Sequence, residues 1–323
     1  MSDQPSLIFI PGAWHQPTCY TKIVKLLQEQ HEFRCITITL PSTRGDPTAT
    51  FKDDLDAARS AISTETSLGR DVVVIAHSYG GMVGNSAIRG FTGRKSNASS
   101  TTSTEAQTTG SVVGLILIAS GFTFTGFSFM DPFFGIPPPS WRVNQETGFA
   151  DLVTPPRELF YHDVPADEVE NWTAQLTPQS LKALFEGGEH AYAGWQDVPA
   201  WYLGTIEDRG LPVVLQRMSV GMARAMGGVV EHKELRSSHS PFLSQPGEVV
   251  QIIAEAVAAF TGKAPNKSDV RNQQLNEIAV PETKIWQPST WFSYGIPLVL
   301  GTIIGKGVSA FGWCRRLWIS CFH

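Results

Sequence analysis

The chain reads as a doubly wound α/β fold, a mostly parallel sheet with a helical cap insertion. Three observations predict it. Short β-branched runs alternate with stretches of apolar 3.6-residue periodicity, the signature of successive βαβ units. Two of the runs, Val72 to Ala76 and Val112 to Ala119, have no polar alternation, as strands buried on both faces require. A proline- and aromatic-rich interval, 122–198, then interrupts the alternation.

The elements follow in order. Leu7-Ile8-Phe9-Ile10 is the first strand, ended by Pro11-Gly12. Tyr20, Ile23, Val24 and Leu27 fall at i, i+3, i+4, i+7, one face of a helix with Pro17 near its start. Cys35 to Leu40 is the second strand, stopped by Pro41. Phe51, Leu55, Ala58 and Ile62 mark the next helix. The two fully apolar strands come after it, then weaker candidates at Trp201 to Gly204 and Val229 to Leu235. Val249, Ile253, Ala256 and Phe260 give a late helix. The core is expected over 1–121 and 199–262, with a cap or lid over 122–198. Residues 93–111, rich in Ser, Thr and Gly, read as a disordered loop. Residues 263–323 form a tail of unknown role that starts polar and ends apolar.

Composition narrows the function. Basic residues number 25 against 30 acidic, net −5, so a nucleic-acid partner is not expected. Four cysteines, Cys19, Cys35, Cys314 and Cys321, form no CxxC pair and no zinc-spaced cluster. Gly80-Gly81 is not a dinucleotide fingerprint. No metal or other cofactor is implied. The N-terminus lacks the basic flank and apolar stretch of a signal peptide, so a cytoplasmic setting is expected.

Chemistry concentrates in four places. Ala76-His77-Ser78-Tyr79-Gly80-Gly81 follows an apolar strand and opens a Gly-rich helical stretch, the context of a nucleophile elbow. Small residues must lie two before and two after such a serine because the backbone closes on itself there. Gly80 satisfies this, and Ala76 replaces the more usual glycine. Pro11-Gly12-Ala13-Trp14-His15 supplies a small-residue loop after the first strand. Its Ala13 N–H, with that of Tyr79, is the expected oxyanion hole. Ser238-His239-Ser240-Pro241 places a histidine after a short strand, where a general base belongs. Eight histidines compete. His77 is set aside because its side chain should point away from that of Ser78. Thr205-Ile206-Glu207-Asp208 offers the acid. Asp208 is favoured for its shorter reach, with Glu207 the fallback.

Together these segments resemble an α/β-hydrolase, and within that superfamily they are similar to the plant methylesterase and hydroxynitrile lyase group. The resemblance covers about residues 5 to 262. It implies an eight-stranded-type core with a helical cap, a Ser78–Asp208–His239 triad and an oxyanion hole from Ala13 and Tyr79. The lyases carry Thr at the position of Gly12 and Lys after the catalytic histidine. Gly12 and Ser240 here resemble the esterase-like branch more. The loop and the diverged cap suggest a fungal-type branch acting in specialised (secondary) metabolism.

The expected activity is a serine esterase or lactonase acting on a hydrophobic small molecule. The alternatives are non-hydrolytic triad chemistry (C–C cleavage, condensation or acyl transfer) and a receptor-like binding module. The interval 122–201 holds 15 of the 33 aromatics, too many for solvent-facing loops, so some should line a pocket and others pack the cap. Gly12, Trp14, His15, Phe122, Phe124 and Trp141 are the expected substrate contacts. For His15 a structural hydrogen bond is the competing role. From Trp291 to Trp313 the tail is long enough to span a bilayer, yet Pro297, its glycines and Lys306 make a poor span. Weak membrane association through the Trp- and Arg-bearing end is one reading. A disordered extension or a mispredicted C-terminus are the others.

Overall fold

The structure, a computed structural model, describes residues 4–93, 109–262, 281 and 287–322. Most of the expected disordered loop and the polar start of the tail lie outside these residues.

Strand β1 (Ser6–Ile10) leads through a 3-10 turn at Pro17–Tyr20 into α1 (Thr21–His31). Pro17 opens that turn rather than the helix proper. Strand β2 (Cys35–Thr37) is half the expected length, because the chain leaves the sheet to bury Leu40 and turn at Pro41. Helix α2 (Phe51–Ser67) is started by a reciprocal Thr50–Asp53 capping box, which satisfies two otherwise orphan donors. Then come β3 (Val72–His77), α3 (Gly80–Ala87) and β4 (Val112–Ile118). After the insertion the chain resumes with β8 (Ala200–Thr205), α7 (Val213–Ala225), β9 (Val230–Leu235), the turn α8 (Pro241–Ser244) and α9 (Pro246–Thr261).

These six core strands form one parallel sheet in the order β2-β1-β3-β4-β8-β9. The resemblance implied eight strands in the core, and the core sheet has six among the described residues. Successive side chains divide between two cores, as the strand period of two demands. Ile8, Val74, Leu115 and Tyr202 join α2, α3 and α7 on one face. Leu7, Val73, Ile116 and Leu203 join α1 and α9 on the other. Each fully buried aliphatic side chain contributes about 1.5–3 kcal/mol, so both helical layers are firmly held. Register pairs Ile10 with Ala76, Ala76 with Leu117, and Thr205 with Leu235. The loops after β1, β3, β8 and β9 therefore leave the same sheet edge.

The insertion contains the short helices α4 (Pro156–Leu159), α5 (Ala166–Ala174) and α6 (Leu181–Phe185). It also contains an antiparallel sheet of β5 (Trp141–Asn144), β6 (Phe149–Leu152) and β7 (Gln179–Ser180), where no clean strand was expected. The hairpin is made by its turn. Asn144 accepts from the amides of Glu146 and Thr147, and Gly148 takes a φ of +75°. The aromatics divide more unevenly than expected: Phe134 is 91 % exposed, and Phe127 and Phe133 also face outward. The tail is helical, through α10 (Pro288–Thr290), a π-helical turn at Trp291–Gly295 and α11 (Ile296–Phe322).

Candidate active site

Ser78 sits between β3 and α3 with a φ of +50°, the left-handed region that costs an L-residue roughly 1–2 kcal/mol. Several bonds fix it there. Its N–H donates to the Ile118 carbonyl at 3.1 Å, and its carbonyl accepts from the Gly81 N–H at 2.9 Å and the Ser120 hydroxyl at 2.7 Å. The turn is pressed against the end of β1. A Cβ at Gly80 would come within 2.3 Å of the Pro11 carbonyl oxygen, so only glycine fits two residues after the serine. Ser78 itself stays partly exposed while its neighbours are buried.

From the far end of the sheet come Asp208 and His239. His239 Nδ1 lies 2.7 Å from Asp208 Oδ2, and both side chains are buried. A carboxylate only accepts, so Nδ1 carries the proton and Nε2 keeps its lone pair. The Asp208 carboxylate is held from every side. Oδ1 accepts from the amides of Gly210 and Leu211, each at 2.7 Å. Oδ2 also accepts from the Thr205 hydroxyl at 2.7 Å and the Gln216 amide at 3.1 Å. Glu207, the fallback acid, is exposed and paired with Arg236.

The serine and histidine loops are tied together through His77. Its Nε2 donates to the His239 carbonyl at 2.9 Å, and the two rings are 4.7 Å apart. The side chain set aside in the sequence thus braces the histidine loop from behind. His15 stands on the other side of His77, with ring centroids 5.4 Å apart. Its Nδ1 donates to the Ala13 carbonyl at 2.8 Å and its Nε2 accepts from the Tyr161 hydroxyl at 2.9 Å. Both ring nitrogens are taken, which favours the structural role over substrate contact. Burial pulls His15 down to about 4, and burial with the neighbouring histidines pushes His77 well below the usual range. Both are neutral near pH 7.

The loop after β1 closes over the serine. A Cβ on Gly12 would meet Ser78 Cβ at 3.0 Å and His77 Nδ1 at 2.8 Å. Trp14 adopts a φ of +61° and donates through Nε1 to the Ala150 carbonyl, pinning the loop to the insertion. Among the described residues, the amides of Ala13 and Tyr79 donate to no protein acceptor. The Tyr79 hydroxyl donates to Asp54 Oδ2 at 2.7 Å, and Ser42 donates to the same carboxylate through its N–H and hydroxyl. Burial pushes Asp54 up to about 6, against those hydrogen bonds.

Aromatic rings surround this cluster. Trp14 lies 6.0 Å from both Trp141 and Phe160, and Phe160 packs 5.5 Å from the His239 ring. Phe122 is buried between Trp195 and Tyr202, so it serves packing, while Phe124 is half-buried beside Phe127. Phe160, Gln216 and Asp54 were not singled out in the sequence, and His77 was set aside there. Only Asp54 carried a signal: a charge three residues from Phe51, on the apolar face of α2.

A parallel sheet, a serine in a strained strand-to-helix turn and an acid–imidazole pair at the same edge define the α/β-hydrolase class. The chain belongs to the alpha/beta hydrolase family, whose model matches residues 7–252. It is 27 % identical over 257 residues to the alpha/beta hydrolase nvfD of Aspergillus novofumigatus, covering 78 % of this chain and 96 % of that one. Its fold resembles a pyrethroid hydrolase from Sphingobium faniae, with a TM-score of 0.60 and 19 % identity over 79 % of this chain and 98 % of that one. It also resembles the methylesterase MES16 from Arabidopsis, with a TM-score of 0.55 and 18 % identity over 79 % and 99 % of the two chains. That likeness agrees with the esterase-like branch.

Proposed function

We propose that the protein is a serine hydrolase that cleaves a carboxylic ester or lactone of a hydrophobic small molecule. The observation that carries this reading is the His239–Asp208 hydrogen bond, at the sheet edge where Ser78 is held in its turn. His239 Nε2 takes the Ser78 proton as Oγ attacks the carbonyl carbon. Asp208 fixes the tautomer and stabilises the imidazolium. The free amides of Ala13 and Tyr79 receive the oxyanion, each worth about 3 kcal/mol in comparable sites. Collapse expels the alcohol, protonated by His239, and water then releases the acyl group by the same route. Trp14, Trp141 and Phe160 favour an apolar acyl or alcohol group. The names of the pyrethroid hydrolase and the methylesterase point the same way. A setting in specialised metabolism belongs to this reading through the resemblance set out above.

A lyase-like chemistry is disfavoured by Gly12, because the side chain those enzymes carry there would collide with His77 and Ser78. Turnover of a panel of p-nitrophenyl esters by wild type and Ser78→Ala tests the proposal. Wild type should hydrolyse at least one medium-chain ester, and the variant should lose about 10⁴-fold or more in kcat. Equal rates in the two proteins remove Ser78 as nucleophile. Fluorophosphonate labelling of Ser78 without any ester turnover favours non-hydrolytic chemistry or binding.

A further inference from the structure

The C-terminal helix is built inside out for a water-facing surface. The side of α11 that meets the fold is small: Pro297, Gly301 and Gly305 are buried there. A Cβ on Gly301 would come within 2.1 Å of the Met218 carbonyl oxygen, and one on Gly305 within 2.7 Å of the Met222 carbonyl oxygen. Gly221 of α7 answers them, lying against the Leu298 backbone. The two helices therefore pack backbone to backbone. The side that faces away is large and apolar, comprising Ile296, Val299, Leu300, Ile303, Ile304 and Val308, with Ile303 60 % exposed. A surface helix in water buries its large apolar residues and exposes polar ones. Small residues inward and bulky aliphatics outward is the arrangement of helices whose outer solvent is lipid.

Charge and anchoring agree. Residues 287–323 contain Lys306, Arg315 and Arg316 and no acidic residue, in a chain of net charge −5. The start of the helix is fastened to the fold by a buried cluster. Arg217 pairs with Glu234 through two 2.8 Å bonds, donates to the Ser293 carbonyl and stacks 4.5 Å from the Tyr294 ring. The Tyr294 hydroxyl is hydrogen-bonded to His232 at 3.0 Å. Pro288–Ala310, with mean hydropathy 1.2, is long and apolar enough to cross a membrane. A helix so fastened along α7 cannot also thread a bilayer alone.

We infer that the outward face of α11 is a docking surface for an anionic lipid bilayer, on which the helix lies without crossing it. The inference is independent of the hydrolase reading. Arginines and lysines at such a surface gain about fivefold in partitioning each from anionic headgroups. Flotation of the full chain tests it, with vesicles of phosphatidylcholine alone and of phosphatidylcholine with phosphatidylserine. The wild type should float with both and several-fold more with the second, and alkaline carbonate should release it. The double variant Val299→Glu/Ile303→Glu should lose about tenfold or more in partitioning, with an unchanged far-ultraviolet spectrum and unchanged hydrolysis of a soluble ester. Ser78→Ala should float like wild type, so failure of the catalytic reading would leave this result standing. Absence of flotation overturns the inference. So does a wild-type dimer in light scattering that the same double variant splits, since the face would then meet a second copy. Retention after carbonate overturns the surface-lying geometry.

Discussion

The hydroxyl of Tyr79 donates to Asp54 at 2.7 Å, so the residue next to Ser78 is tied through its side chain to a buried carboxylate on α2. The tether fixes the side chain of the residue whose amide is proposed to receive the oxyanion. Asp54→Ala and Tyr79→Phe should each lower kcat by about tenfold with KM little changed, since a misplaced amide weakens the transition state alone. The double variant should be no worse than either single one, because both remove the same bond. Additive losses would show that the two side chains act separately.

Gly12 is pressed between His77 and Ser78. Gly12→Ala puts a Cβ within 2.8 Å of His77 Nδ1 and 3.0 Å of Ser78 Cβ. The loop must shift by a few tenths of an ångström, carrying the Ala13 amide with it. An expected loss of about 10²-fold in kcat/KM, with a melting temperature lowered by only a few degrees, follows from the sensitivity of oxyanion contacts to placement. Steady-state kinetics and a thermal melt check both parts.

The strain at Ser78 has a signature in stability. Ser78→Ala and Ser78→Gly both remove the hydroxyl, but only glycine is at ease at a φ of +50°. The glycine variant should be the more stable by about 1 kcal/mol in urea unfolding, with both inactive. Equal stabilities would mean that the turn stores no strain.

Acid should unfold the protein well before its carboxylates are all protonated. Burial holds His15 at about 4 and His232 at about 3, and keeps His77 well below its usual value. Each folded value lies below the unfolded 6.5, so the stability is present above pH 6.5 and is lost as pH falls toward the folded value. By pH 4 His15 and His232 each cost about 3 kcal/mol, and His77 adds a loss of the same sign. Asp54 works in the opposite sense: its folded value, about 6, lies above the unfolded 3.8, so its protonation returns roughly 2 kcal/mol over the same range. Three histidines outweigh one carboxylate. Melting temperatures measured from pH 7 to pH 4.5 should fall steeply, and His15→Gln should flatten the slope.

The parts of the molecule visible in the sequence are those where a local rule acts alone. Val72 to Ala76 reads as a buried strand because every side chain in it is buried. The elbow reads because the Gly80 position has no space for a side chain. Asp208 and His239 read because each follows a strand at the same edge. What was hidden depends on partners distant in sequence. His15 is answered by Tyr161 and Asp54 by Tyr79, and neither pairing leaves a local trace. The hairpin at Trp141–Leu152 was missed because each of its strands is only four residues long and Phe149-Ala150-Asp151-Leu152 lacks alternation, so only its turn residues betray it. The tail looked like a poor span for its glycines, and those glycines are what seat it on α7.

Gln216 and Arg217 are consecutive on α7, yet one steadies the Asp208 carboxylate and the other grips the backbone and ring at the head of the C-terminal segment. A tug on that segment thus arrives at the acid through a single peptide link. Trimming the chain after Gly262 should register as slower turnover of a freely diffusing ester, and not merely as a change in where the protein resides.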